Sequence, residues 1–174
     1  MHGQLERVGD HWQLRFSRTL RHAPDKVWRA LTEPEHLAAW FPAQMHGERA
    51  TGARLTFVFE NGEGPDTEGE ILVYDPPALL EYRWGTELLR FELAPDDGGG
   101  TQLTFLNTFD ELGKAARDAA GWHACLDVMA HHLDGREPPW NPMDRWKEVH
   151  PVYVEEFGPE AATIGPPESV RERL

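Results

Sequence analysis

Apolar residues recur at every second position in some stretches of the chain and at every third or fourth in others, and the switches between these periods divide it into elements. In HWQLRFSRTL, residues 11–20, Trp12, Leu14, Phe16 and Leu20 alternate with polar residues, which predicts a half-buried first strand with Arg18 as an odd guest on the apolar row. HAPDKVWRALTEPEHLAAWF follows, where Pro24 suits a helix start and Val27, Trp28 and Leu31 form a helical stripe. Pro34 ends that helix and opens a second short one carrying Leu37 and Trp40. The next segments, ARLTFVFE, TEGEILVYDPP, ALLEYRWG, TELLRFELAP and TQLTFLNTF, read as strands, separated by NGEGPD, DPP, GT and PDDGGG, all of them turn chemistry. Connections this short favour antiparallel neighbours. From about residue 111 to 134 the helical period returns in Leu112, Ala116, Ala119, Ala120, Trp122, Leu126, Met129, Ala130 and Leu133, with Gly135 as a C-cap.

One strand, two short helices, a run of strands and one long helix predict an α+β fold, an antiparallel sheet with its helices on one face. A twisted sheet of this length curls, and the long helix then lies across its concave side, leaving room for a pocket. Alternation says what faces inward. Leu80, Tyr82 and Trp84 share one side of their strand, Leu89, Phe91 and Leu93 another, and Leu55, Phe57 and Phe59 a third. Leu103, Phe105, Asn107 and Phe109 complete the set, so that Asn107 and Arg18 are the two polar residues on otherwise apolar rows.

Charge narrows the partners. The 174 residues carry 30 acidic and 17 basic side chains, a formal net charge of -13. Such a field repels phosphate backbones and anionic headgroups, so neither nucleic acid nor a membrane surface is an expected partner. A single cysteine, Cys125, rules out an intrachain disulfide and suits a reducing, cytoplasmic setting. The N-terminus has no signal-peptide core, and no apolar run approaches the roughly 18 residues of a membrane span.

The richest chemistry lies in GWHACLDVMAHHLDG, residues 121–135. His123 and Asp127 are four apart and share a helix face, but two ligands do not make a metal site, and no third inward ligand is identifiable, so no metal or cofactor is expected. His131 and His132 diverge by about 100° and read as partly exposed. Cys125 reads as a small buried hydrophobe, since no Lys or Arg lies within a turn on its own helix to stabilise a thiolate. No phosphate-binding glycine loop, nucleophile elbow or acid–base pair of carboxylates is found, and no catalytic residue is assigned. Residues 136–174 differ in composition. They are Pro-rich, with Trp146, Val149, Tyr153 and Phe157 on an amphipathic helix interrupted at Pro151 and a tail after Gly158. The aromatic stripe is expected to pack back on residues 1–135, and it also suits a homodimer interface.

TLRHAPDKVWRALTEPEHLAAWF, GEILVYDPPALLEYRW, TQLTFLNTF and GWHACLDVMAHHLDG together resemble, in order, the SRPBCC superfamily, also called START-like or helix-grip. Within it they are most similar to the branch homologous to the C-terminal domain of the activator of heat-shock protein 90 ATPase. The resemblance spans about residues 12–135 and implies six or seven strands wrapped on the C-terminal helix, a START-like domain over 1–135, and a cavity between sheet and helix. Members of the branch often carry His where this chain has Asn107, which argues against His-dependent chemistry here. The superfamily includes lipid carriers, cyclases and co-chaperone domains. The reading is therefore binding of a hydrophobic or amphipathic small molecule by Arg18, Trp40, Phe57, Phe59, Tyr82, Trp84, Phe91, Phe105, Asn107, Trp122, Cys125, Leu126 and Met129. The resemblance also implies an alternative, a co-chaperone acting on a heat-shock ATPase; the eukaryotic activators carry an N-terminal domain that the eleven or so residues before the first strand do not supply. A cyclase or hydrolase with a water held by Asn107 ranks third.

Overall fold

The computed structural model of the chain describes residues 1–60, 64–166 and 171. Its elements are β1 (Gln4–Val8), β2 (His11–Leu20), α1 (Pro24–Thr32), α2 (Pro34–Trp40), β3 (Gln44–His46), β4 (Arg54–Val58), β5 (Thr67–Asp75), β6 (Leu79–Trp84), β7 (Glu87–Pro95), β8 (Thr101–Phe109), α3 (Ala115–Leu133) and α4 (Pro142–Phe157). Short 3-10 turns stand at Leu112–Lys114 and Pro159–Ala162. The strands form one curved, open antiparallel sheet in the order β1-β2-β8-β7-β6-β5-β4-β3. This is the α+β helix-grip architecture, with eight strands where six or seven were expected.

The two additional strands, β1 and β3, are the edges of the sheet. Edge strands bury little, so they leave little periodicity to read. In β1 only Leu5 escapes full exposure, opposite Leu14, and β3 is three residues long with Met45 buried between exposed neighbours. The β6–β7 hairpin turns on two residues, Gly85 and Thr86, and Gly85 has φ 60°, a conformation a side chain resists. In the DPP turn the Pro76–Pro77 peptide is cis. Part of the NGEGPD turn, residues 61–63, lies outside the described residues, as do 167–170 and 172–174 of the predicted tail.

Register places the inner rows side by side. Phe16, Phe105, Phe91 and Leu80 form one row across β2, β8, β7 and β6. Leu14, Asn107, Leu89, Tyr82 and Ile71 form the next, extending to β5. Every member of both rows is buried. The long helix α3 covers this face. Ala115, Ala116, Ala119 and Ala120 are fully buried in its first two turns, small side chains that allow close packing, and Leu126, Met129 and Leu133 carry the buried stripe to its C-terminus.

Burial on α3 extends beyond one stripe because α4 packs on its other side, through Val149 and Tyr153. Asn141 caps α4, its side-chain oxygen accepting from the Met143 N–H at 2.8 Å, and Pro142 occupies the first turn. The expected interruption at Pro151 does not occur: the helix runs through it. A helix-interior proline costs about 3 kcal/mol. Here it sits on the exposed side, and the contacts of Val149 and Tyr153 with the core offset that cost. The chain after Gly158 also packs further than a free tail would, with Ala161 buried and the Ile164 N–H donating to the Gly113 carbonyl at 3.0 Å.

Candidate ligand-binding site

The aromatic residues of the inner rows meet as a continuous set of rings. Phe57 stacks on Trp84 at 4.6 Å between centroids and 13° between planes, and Phe91 stacks on Phe105 at 4.6 Å. Trp122 of α3 stands edge-on to Phe105 at 4.9 Å and to Trp84 at 6.4 Å. Tyr82 links the two stacks, 5.9 Å from Phe57 and 6.1 Å from Phe91. Trp40 approaches Phe91 from α2, its indole N–H donating to the Ala30 carbonyl at 2.8 Å. Each favourable ring pair adds about 0.5–1.5 kcal/mol beyond its burial. Gly69 makes the Phe57–Trp84 stack possible: a side-chain carbon there would lie 2.8 Å from the Phe57 ring and overlap the Arg83 carbonyl.

Exposure changes along this wall. Phe57, Tyr82, Phe91 and Phe105 are buried, whereas Phe59 and Trp84 are only half-buried, at the end of the sheet beside the β6–β7 turn. The inner rows also hold a polar group. Asn107 is fully buried, and its amide nitrogen donates to Glu87 Oε1 at 3.1 Å and to the Leu88 carbonyl at 3.3 Å. Both partners are acceptors, so they fix which end of the amide is which. The other end, Oδ1, is buried without a partner. Lys114 donates to Glu87 Oε2 at 2.8 Å and lies 3.8 Å from Asp118, which Arg117 also contacts at 2.8 Å. Burial pushes the Asp118 carboxyl up, against the pull of Arg117 and Lys114.

The two polar residues expected to act together belong to separate clusters. Arg18 holds its guanidinium over Phe16 at 5.6 Å and donates from Nη1 to the Ser17 carbonyl, while Nη2 is buried without a partner. Burial lowers its pKa, with Asp127 and Tyr153 opposing. Those groups belong to a network between α3 and α4. His123 Nδ1 contacts the Tyr153 hydroxyl at 2.8 Å, and that hydroxyl accepts the Gly3 N–H at 2.7 Å. On its other side His123 Nε2 lies 3.4 Å from Asp127, which accepts from Arg145 Nε at 2.8 Å. The His123–Asp127 pair seen in the sequence thus serves as a bridge that ties the N-terminal strand and α4 to α3. Burial drives the Tyr153 hydroxyl up to about 12.

The remaining candidates are on α3. Leu126 and Met129 are buried in the core, and Cys125 is half-buried against it, where burial pushes its thiol up to about 12. Among the described residues no three His, Cys, Asp or Glu side chains gather as a metal-binding group. No helix there is long and apolar enough to cross a membrane. Glu87 was missed because the inner row of the TELLRFELAP segment was read from Leu89 onward. It has the parity of Leu89, Phe91 and Leu93, so one more residue would have placed it on the inner face.

The family model described as "Activator of Hsp90 ATPase homolog 1-like protein" matches residues 21–134. The chain belongs to that family. Solved structures share its fold. EF2215 of Enterococcus faecalis, a conserved protein of unknown function, is 19% identical with a TM-score of 0.73, covering 89% of this chain and 90% of its own. CalU16 of Micromonospora echinospora is also 19% identical, with a TM-score of 0.70, covering 89% and 95%. MLL2253 of Mesorhizobium loti is 24% identical with a TM-score of 0.64, covering 72% and 99%. No curated protein matches the sequence. As a member of the activator homologue family, the chain has the START-like fold that the resemblance of its segments implies.

Proposed function

We propose that this activator homologue binds a small molecule with an apolar, preferably aromatic, body and a hydroxyl or N–H group, held against Asn107 by the wall of Phe57, Phe59, Trp84, Phe105 and Trp122. The observation that carries this reading is the Asn107 Oδ1 acceptor, fully buried, fixed in orientation by Glu87 and Leu88, and unpartnered. A buried acceptor left alone costs about 1–3 kcal/mol, and a ligand donor recovers it. The half-buried Phe59 and Trp84 supply an apolar approach from solvent. A carboxylate-headed ligand is disfavoured, because it would bring acceptors to an acceptor beside Glu87.

Native mass spectrometry of the purified protein, set against its denatured mass, tests the reading when combined with titration of 1-naphthol as a probe. Mass lost on denaturation, or saturable 1-naphthol binding, supports it. A bare protein that also ignores 1-naphthol refutes it.

The family match supports a second reading, binding to a heat-shock ATPase. Stimulation of chaperone ATPase activity that falls as salt rises would favour it, since an acidic chain with net charge -13 docks through screened charges.

A further inference from the structure

A concave site lies at the C-terminal end of α3. It has a volume of about 410 Å³ and is lined by His22, Lys26, Arg29, His36, His132 and Asp134, from the end of β2, α1, α2 and the end of α3. Its one lining carboxylate is already saturated. Asp134 accepts from His22 Nε2 at 2.7 Å, Arg136 at 3.1 Å and Arg21 at 3.3 Å, and these partners, His22 first, hold it down at about 2. Lys26 donates to the Leu133 carbonyl at 2.7 Å, which covers the negative end of α3, and to His22 Nδ1 at 3.2 Å. Among the described residues neither Lys26 nor Arg29 has a carboxylate partner. With the one lining carboxylate already engaged, Lys26 and Arg29 leave this part of an otherwise acidic chain positively charged.

A pair of histidines completes the lining. His36 Nδ1 and His132 Nε2 are 2.8 Å apart, with ring centroids at 5.1 Å. At that separation one nitrogen must offer a lone pair to the other's N–H, so the two rings cannot both be charged. Glu33 lies 3.4 Å from His36 Nε2 on the far side. Burial and the His36 charge hold His132 below its ordinary value, opposed by Glu137 and assisted by Lys26.

We propose that this cleft binds a small soluble oxyanion of the sulfate or phosphate class, which separates His36 from His132, accepts a hydrogen bond from each protonated ring, and is completed by Arg29 and Lys26. Binding is then coupled to proton uptake by the histidine pair. Affinity falls with rising pH, approaching about a hundredfold per pH unit once the pH exceeds the histidine range, because both neutral rings must take up a proton for each anion bound.

Sulfate is the probe of choice because its charge is constant over this range. Histidine ring resonances are followed in a sulfate titration against chloride at equal ionic strength, near pH 6 and near pH 8. The expected result is a saturable, sulfate-specific shift of His36 and His132, at least about tenfold tighter at the lower pH. Arg29→Ala, at an exposed position, is expected to weaken binding by about tenfold with the fold intact, and His132→Gln to flatten the pH dependence. Inorganic phosphate should compete. Equal shifts with sulfate and chloride, wild-type binding by both variants, or binding to phosphatidic acid vesicles without response to free sulfate and phosphate would each overturn the proposal.

Discussion

Replacing Asn107 with leucine separates a structural role for this residue from a binding role. The side chain is fully buried, and its contributions to stability oppose each other. Its amide nitrogen makes hydrogen bonds of 3.1 and 3.3 Å, on the long side of the usual range, worth about 0.5–1.5 kcal/mol each. Its lone Oδ1 costs about 1–3 kcal/mol. Leucine removes both terms with little change of shape, and Lys114 still neutralises Glu87 at 2.8 Å. The net change in the free protein is therefore within about 1 kcal/mol of zero, a melting shift of no more than about 4 °C. Urea denaturation measures it, and calorimetric titration with 1-naphthol measures what has been lost in binding. Unaltered stability with weakened binding is the expected pair of results. A loss of more than about 3 kcal/mol would refute the reasoning, because it would mean that Oδ1 is already satisfied within the fold.

Three further substitutions or treatments probe the frame around the site. Tyr153→Phe strips the Gly3 N–H and the His123 ring of a buried partner, so chemical denaturation should register a loss of about 2 kcal/mol. Burial raises the Asp127 carboxyl, but hydrogen bonds from His123 and Arg145 outweigh it and hold the group below its ordinary value. A depressed carboxylate stabilises the fold above the unfolded pKa of about 4 and loses that contribution as pH falls through its folded value. Asp127→Asn should accordingly be less stable than the native chain at neutral pH, with the gap closing in acid. Cys125, with its thiol pushed up to about 12, should resist alkylation at neutral pH and react at the rate of an ordinary thiol only once urea unfolds the chain.

Much of this frame is legible in the sequence because burial on one face imposes a period. Strands β4 to β8, the proline-opened helices α1 and α2, and α3 all stand where alternation and helical stripes put them. Parity alone singled out Arg18 and Asn107, the two residues whose buried polar atoms lack partners among the described residues. What escaped reading has physical reasons. The edge strands β1 and β3 bury too little to show alternation. The partners of His123 and Asp127 come from α4, where Tyr153 is 30 residues from His123, and no local pattern reports a contact at that distance. The helix through Pro151 persists because its packing on α3 outweighs a local preference that sequence reading weighs alone. The cleft at the end of α3 likewise combines residues from β2, α1, α2 and α3, none of which forms a motif by itself.

The most direct measurement compares 1-naphthol with 1-methoxynaphthalene in calorimetric titrations of the native chain and of the Asn107→Leu variant. The two probes share one aromatic body and differ in a single hydrogen-bond donor. The account predicts that the native chain prefers the alcohol by about 5- to 30-fold, the worth of about 1–2 kcal/mol for one buried hydrogen bond, and that the variant does not distinguish them. Equal affinities for the two probes in the native chain would contradict it.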